Sequence, residues 1–225
     1  MTTPRETKDR LYEQVARIGK AAASPKRLEL IELLCQGEKT VETLAQQADI
    51  DVKSASAHLK ELKAARLVQA RKEGKYVYHR LADAAVAAFW VTLRSLAEAR
   101  LAELQTVVRE FLADPGELAP VDRHAILSKA KHGEVVVIDV RPEEEYAAGH
   151  LPYARSIPLT ELKKRLADLP RRKQIAAYCR GPFCMMAKDA VALLRQRGFN
   201  AVRLEDGVAE WLSAGLPVET GMATA

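Results

Sequence analysis

Hydrophobic positions along this chain change their rhythm near its middle. Up to residue 112 they recur at helical spacing, and beyond residue 120 they form short apolar runs alternating with helical patterns. The first helix is expected over Thr7 to Ala22, with Leu11, Val15 and Ile18 on one face. Ser24-Pro25 reads as a helix start that leads into Leu28, Ile31, Leu33 and Leu34, and Gly37 ends it. Thr40 to Ala48 predicts a short helix, Asp49-Ile50-Asp51 a turn, and Val52 to Ala64 a further helix with Asp51 as N-cap and Ala55, Leu59 and Leu62 facing inward. Two short helices across a tight turn make a helix-turn-helix pattern. Leu67 to Arg71 and Lys75 to Leu81 then read as strands joined through Glu73-Gly74, a hairpin placed as a wing. From Asp83 to Leu112 a single long apolar helix is expected. Its exposed apolar surface calls for a partner, either a second copy of the chain or the second half of the same one.

Ala113 to Pro120 has the composition of a linker, so the chain divides into residues 1–112 and 121–222. Past the linker, strands are expected at Val135–Val140, Ser156–Pro158, Gln174–Tyr178 and Ala201–Leu204. Helices are expected at Pro142–Ala148, Thr160–Leu169, Met185–Arg197 and Val208–Ala214. That alternation predicts an α/β domain, a parallel sheet with helices on both faces, following a mainly α first domain.

Charge adds a partner class. Most of the formal net charge of +5 sits in residues 1–112, which have 19 basic and 15 acidic residues against 16 and 15 in the rest. Lys53 to Arg80 holds eight basic residues against Glu61 and Glu73. Such a stripe is either a solvated face or a surface that neutralises phosphates. The polar start has no apolar signal region and no stretch reaches the length of a membrane span, so a cytoplasmic protein with no membrane partner is expected. Three cysteines, Cys35, Cys179 and Cys184, cannot form an even disulfide framework and point to redox or sulfur chemistry.

Cys179 lies where a strand turns into a helix through Arg180-Gly181-Pro182-Phe183-Cys184. Loop amides and the positive end of a helix dipole favour a thiolate there, and Arg180 adds a cation. The expectation is a Cys179 pKa below that of a free thiol. Cys184 is either a resolving thiol, closing a disulfide or trisulfide with Cys179, or a small buried residue at the helix start.

Two resemblances sharpen these readings. Leu30 to Leu34, Gly37-Glu38, Val41 to Ala45, Ser54 to Leu62 and Gly74 to Leu81, in this order, resemble the winged helix-turn-helix regulators of the ArsR type. The resemblance implies a homodimer on operator DNA, most often a repressor. By position it puts Lys53, Ser54, Ser56, Ala57 and Lys60 toward the major groove, and Arg71, Lys72, Lys75 and Tyr76 along the backbone or minor groove. Arg66 departs from the family, which commonly has glycine there, so it must accept an unusual backbone angle or shift the turn. The family's metal-site patterns are missing: Cys35 stands alone, and Asp83–Leu112 has no histidine. No metal and no cofactor are expected, and Cys35 reads as core.

Val137 to Arg141, Gly149 to Ala154, Tyr178 to Cys184 and Asp206 to Pro217 resemble the rhodanese family. That resemblance implies sulfur transfer through a persulfide on Cys179, from a small donor such as thiosulfate or a persulfide to a thiol acceptor. Arg180 and the amides from Gly181 onward would stabilise the anion, and Asp139 and Arg141 would brace the loop. A related fold hosts phosphatases whose arginine would stand at Met185, so that activity is disfavoured. Three functions remain: a DNA-binding regulator that senses sulfane sulfur, a working sulfurtransferase with a DNA-binding domain, and, more weakly, a metal or arsenic sensor using Cys35.

Overall fold

In the computed structural model, residues 2–112 and 122–222 are described. The expected linker 113–120 lies outside them. Contacts divide the chain into two compact units at Trp90/Val91, within a helix.

The first unit begins with α1 (Pro4–Ala22), which starts three residues earlier than expected because Thr3 and Glu6 form a capping box. It continues through α2 (Pro25–Leu34), β1 (Lys39–Thr40), α3 (Val41–Gln47), α4 (Val52–Ala64), β2 (Val68–Glu73) and β3 (Tyr76–Leu81). Side chains of Thr40 and Asp51 accept from the amides of Thr43 and Ser54, which fixes where α3 and α4 begin. Leu30, Ile31, Leu44, Leu59, Leu62, Val86 and Trp90 form one core under α2, α3 and α4. One strand is added to the expected elements, and the alternative posed by Arg66 is decided. β1, too short to show a period, adds a third strand by pairing with β3, giving the order β1-β3-β2. Arg66 takes the left-handed conformation, φ 61°, so it accepts the unusual angle and the turn keeps its place.

The helix expected from Asp83 to Leu112 is two: α5 (Ala84–Arg100) and α6 (Ala102–Phe111). Leu101 between them is extended at φ −102°, ψ 106°. Gln105 Nε2 donates to the Glu98 carbonyl (2.8 Å), one of those left open where α5 ends. No glycine or proline marks this break, so hydrophobic spacing ran straight across it.

In the second unit, α7 (Arg123–Lys131) precedes β4 (Val135–Asp139), α8 (Glu143–Ala148), β5 (Arg155–Ser156), α9 (Leu159–Leu162), β6 (Gln174–Tyr178), α10 (Met186–Gln196), β7 (Ala201–Arg203) and α11 (Val208–Ser213). The helix expected over Thr160–Leu169 is shorter, followed by one turn of 3₁₀ helix at Leu166–Asp168, and α7 was not anticipated. All strands are parallel in the order β5-β4-β6-β7. Alternate residues serve opposite faces. Val136, Ile138, Ile175 and Ala177 pack with Leu162 and with Ala187, Ala190, Val191 and Leu194 of α10. Val135, Val137, Ala176 and Tyr178 pack with Ile126, Tyr146 and Trp211 from α7, α8 and α11. A sheet covered on both faces leaves its strand ends as the place for chemistry.

Candidate functional site

β6 delivers Cys179 at its carboxyl end, and the loop Arg180–Met185 returns the chain to α10. Cys179 is 2% exposed, at the floor of the loop, and its sulfur lies 3.5 Å from the Cys184 carbonyl oxygen. Amides of Gly181 and Ala187 point to the Cys179 sulfur, and those of Arg180 and Met186 to the Cys184 sulfur. The loop therefore divides its donors between two thiols.

The expected low pKa of Cys179 is overturned. Burial pushes its thiol well up, and the hydrogen bond that it donates to Cys184 adds to this. Cys184 carries the depressed value, lowered to about 7, first by that hydrogen bond and then by the Arg180 and Met186 amides and the Arg180 charge, against burial. Of the two thiols, Cys184 is the one whose thiolate the loop favours. The dipole and the cation are legible in the sequence; the depth of Cys179 is not.

Arg180 is committed elsewhere. Its Nε and Nη2 donate to the two carboxylate oxygens of buried Glu145 at 3.0 and 2.7 Å. This fork ties the loop to α8, and it keeps Arg180 charged although burial works against the cation. Asp139 and Arg141 form a closed network at the end of β4. Asp139 Oδ1 accepts from the Arg141 amide (3.0 Å) and Nε (2.9 Å), and Oδ2 from Tyr178 Oη (2.6 Å). Arg141 Nη2 donates on to the Gly149 carbonyl (2.7 Å), and both side chains are fully buried. Tyr178 directly precedes Cys179, so this network holds the floor of the loop.

Four residues at or near the loop, Glu210, Arg94, Gly181 and Gly207, have contacts that the sequence does not reveal. Glu210 on α11 accepts from the Gly207 amide (2.7 Å) and from Arg94 Nη1 (2.8 Å), and the Arg94 and Glu210 side chains are 4% and 3% exposed. Gly181, at φ 149°, lies under that pair: a Cβ there would sit 3.2 Å from Glu210 Oε2 and 3.4 Å from Arg94 Nη1. A Cβ on Gly207 would come within 2.6 Å of the Arg180 carbonyl oxygen, so only glycine lets this turn reach the loop. The run Asp206-Gly207-Val208 was visible in the sequence; what glycine touches there was not.

On the first unit, Lys53, Ser56, Ala57 and Lys60 of α4 are exposed, as are Lys72, Lys75 and Tyr76 of the hairpin. Two of the expected DNA-facing residues already have protein partners. Ser54 is half-buried, and its hydroxyl donates to Asp51 Oδ2 (2.6 Å) within the N-cap. Arg71 is paired with Glu38 and Glu73, which keep it more firmly protonated than a free arginine. Cys35 packs against the first core. Among the described residues no group of three or more His, Cys, Asp or Glu could hold a metal ion, and no helix is long and apolar enough to cross a membrane.

Residues 24–70 match the family model of bacterial regulatory proteins of the arsR family, and residues 122–214 match that of the rhodanese-like domain. An HTH-type transcriptional regulator of Mycobacterium tuberculosis is 43% identical over 216 residues, 96% of this chain and 95% of that protein. A sulfurtransferase of Allochromatium vinosum is 30% identical over 38% of this chain and 78% of its own length. Among solved structures, the homodimeric winged helix-turn-helix DNA-binding domain of a possible ArsR-family regulator from Mycobacterium bovis is 39% identical, covering 46% of this chain and 95% of that one, with a TM-score of 0.42.

Proposed function

From a chain that belongs to the ArsR-type HTH transcriptional regulators and carries a rhodanese-like domain, we propose a homodimeric, operator-binding regulator, a repressor in its reduced form, that responds to sulfane sulfur taken up on Cys179. The observation that carries this reading is the thiol pair in the loop at the end of β6. A thiol at the carboxyl end of a parallel strand, ringed by amides and beside a second thiol with pKa about 7, is equipped to take and pass sulfur.

The Cys184 thiolate takes the hydrogen-bonded proton of Cys179. The Cys179 thiolate then attacks the outer sulfur of thiosulfate; the new S–S bond forms as the bond to sulfite breaks, and sulfite leaves with the electron pair. Cys179 now holds a persulfide. Deprotonated again, Cys184 attacks the Cys179 sulfur, closing a disulfide while hydrosulfide leaves with its electrons. The sulfane sulfur is thereby reduced and the two thiols oxidised, with no other oxidant.

α5 starts in the first unit, where Val86 and Trp90 enter the core, and ends in the second, where Arg94 meets Glu210 and Gly181. A change of loop shape on sulfur uptake has this helix within reach. Exposed Leu11, Tyr12 and Val15 on α1 and Leu96, Val107 and Phe111 on α5 and α6 supply apolar surface for a second copy. Lys53, Lys60, Lys72 and Lys75 supply the phosphate contacts.

The test is sulfur loading followed by intact-protein mass. Incubation with thiosulfate should leave wild type either one sulfur heavier, as the persulfide, or two hydrogens lighter, as the disulfide that Cys184 closes, and should leave Cys179→Ser unchanged; the same change in both would overturn the assignment of Cys179. A second reading is favoured by the likeness to a sulfurtransferase: the protein turns sulfur over, and its DNA affinity ignores the donor.

A further inference from the structure

A cavity of about 450 Å³ lies in the second unit, bounded by α6, the end of α5, the loop residue Pro182 and the end of β7. Its most unusual wall is Arg203. The side chain is 2% exposed, and its Nε has no hydrogen-bond partner among the described residues. Arg203 closes β7 opposite Ala177 of β6, so it stands beside the strand that presents Cys179, at the end of the sheet where ligands of open α/β folds collect. Arg203 lines the cavity, and its buried guanidinium, whose Nε has no partner among the described residues, would gain from an anion beside it.

Arg109, on α6, adds a second positive group to the wall. Glu98 and Glu205 line the same cavity; burial and the neighbouring Glu205 and Glu210 raise the Glu98 carboxyl above its ordinary pKa, although Arg94, 3.5 Å away, works against this, so a further cation would be favoured there. A simple dianion such as thiosulfate would satisfy the arginines and be repelled by the carboxylates. A zwitterion satisfies both.

We propose that this cavity binds a small amino-acid thiol, its carboxylate on Arg203 and Arg109, its ammonium on Glu98 and Glu205, and its sulfur directed past Pro182 to the Cys179 persulfide. The proposal rests on the sulfur-transfer reading and names the acceptor. The acceptor thiolate attacks the outer sulfur of the Cys179 persulfide; the new S–S bond forms on the acceptor, the bond to the Cys179 sulfur breaks, and Cys179 keeps the electron pair as thiolate. The acceptor departs as a persulfide, and no net oxidation is needed. Because the walls include α6 and the end of α5, an occupied cavity also bears on the helices that follow the winged unit.

Calorimetric titration of the full-length reduced protein with S-methyl-L-cysteine, whose capped sulfur cannot react, tests the site without turnover. Saturable binding is expected, weakened by roughly thirtyfold or more in Arg203→Gln, the scale for removing one partner of a buried charge pair. An S-methylated aminothiol without a carboxylate should bind no better to wild type than S-methyl-L-cysteine does to that variant. Glu98→Gln, at a half-exposed position that a folded chain tolerates, should weaken S-methyl-L-cysteine and leave 3-(methylthio)propionate unchanged. Undiminished binding of S-methyl-L-cysteine to both variants, or no binding to wild type, overturns the proposal. Thiosulfate loading of Cys179 in wild type is measured in parallel: its failure sinks the sulfur-transfer reading, whatever the calorimetry shows.

Discussion

At the floor of the loop two coupled thiols lie side by side, and in the proposed chemistry their order of ionisation sets when Cys179 attacks. The depressed Cys184 pKa, about 7, makes Cys184 the base that frees Cys179. Sulfur uptake at Cys179 should therefore rise with pH through about 7 and then level off. In Cys184→Ser the base is gone and burial alone governs Cys179, so the rise should move to distinctly more alkaline pH. Alkylation rates of Cys179 against pH, followed by mass, check this; an unchanged profile in Cys184→Ser would remove Cys184 from the account. Gly207 makes a second prediction at this scale. A methyl there meets the Arg180 carbonyl at 2.6 Å, and Gly207→Ala should cost about 1–3 kcal/mol in denaturant unfolding and slow sulfur uptake. Both cysteines, Asp139 and Arg141 were legible in the sequence because they sit in motifs at strand ends. Glu145 was visible only as part of the rhodanese-like pattern, and Arg94 and Arg203 not at all, since their partners or neighbours lie tens of residues away.

Helices and strands whose ends are marked by side chains were read well, and those without marks were not. Asp51, Ser24-Pro25 and Gly74 announce where α4, α2 and the hairpin start or turn, and the structure places them there. The break at Leu101 has no such marker, and β1 is too short to show a period. Thr40 is the N-cap of α3, the first helix of the helix-turn-helix. Thr40→Ala should lower stability by about 1 kcal/mol in chemical denaturation, with a change near zero showing that the cap is replaced by solvent. α4 carries the DNA prediction. Lys60 is exposed on it, so Lys60→Ala should weaken operator binding across sequences and reduce the salt slope by about one. Unchanged affinity over a range of salt would count against α4 as the groove helix. Arg71, already paired with Glu38 and Glu73, should matter less to affinity than Lys60.

For the molecule as a whole, the issue is how sulfur chemistry at one loop could reach DNA. The sequence offered no route; the proposed one starts from Gly181, Glu210 and Arg94, all in the second unit, and uses α5, which runs unbroken from Ala84 to Arg100. Removing one member of this buried pair, as in Arg94→Met, should cost about 3–5 kcal/mol because Glu210 is left uncompensated. Replacing both by apolar residues should restore much of that stability and still uncouple the donor from DNA affinity. Allosteric coupling requires the two loop states to differ in their contacts to α5. The direct test is the affinity of reduced full-length protein for its operator fragment, with and without a persulfide donor, in wild type and Cys179→Ser. The donor is expected to weaken binding by wild type several-fold or more, in line with ordinary coupling energies of about 1–3 kcal/mol, and to leave Cys179→Ser unaffected. Tight binding by both proteins with no response to the donor would contradict it.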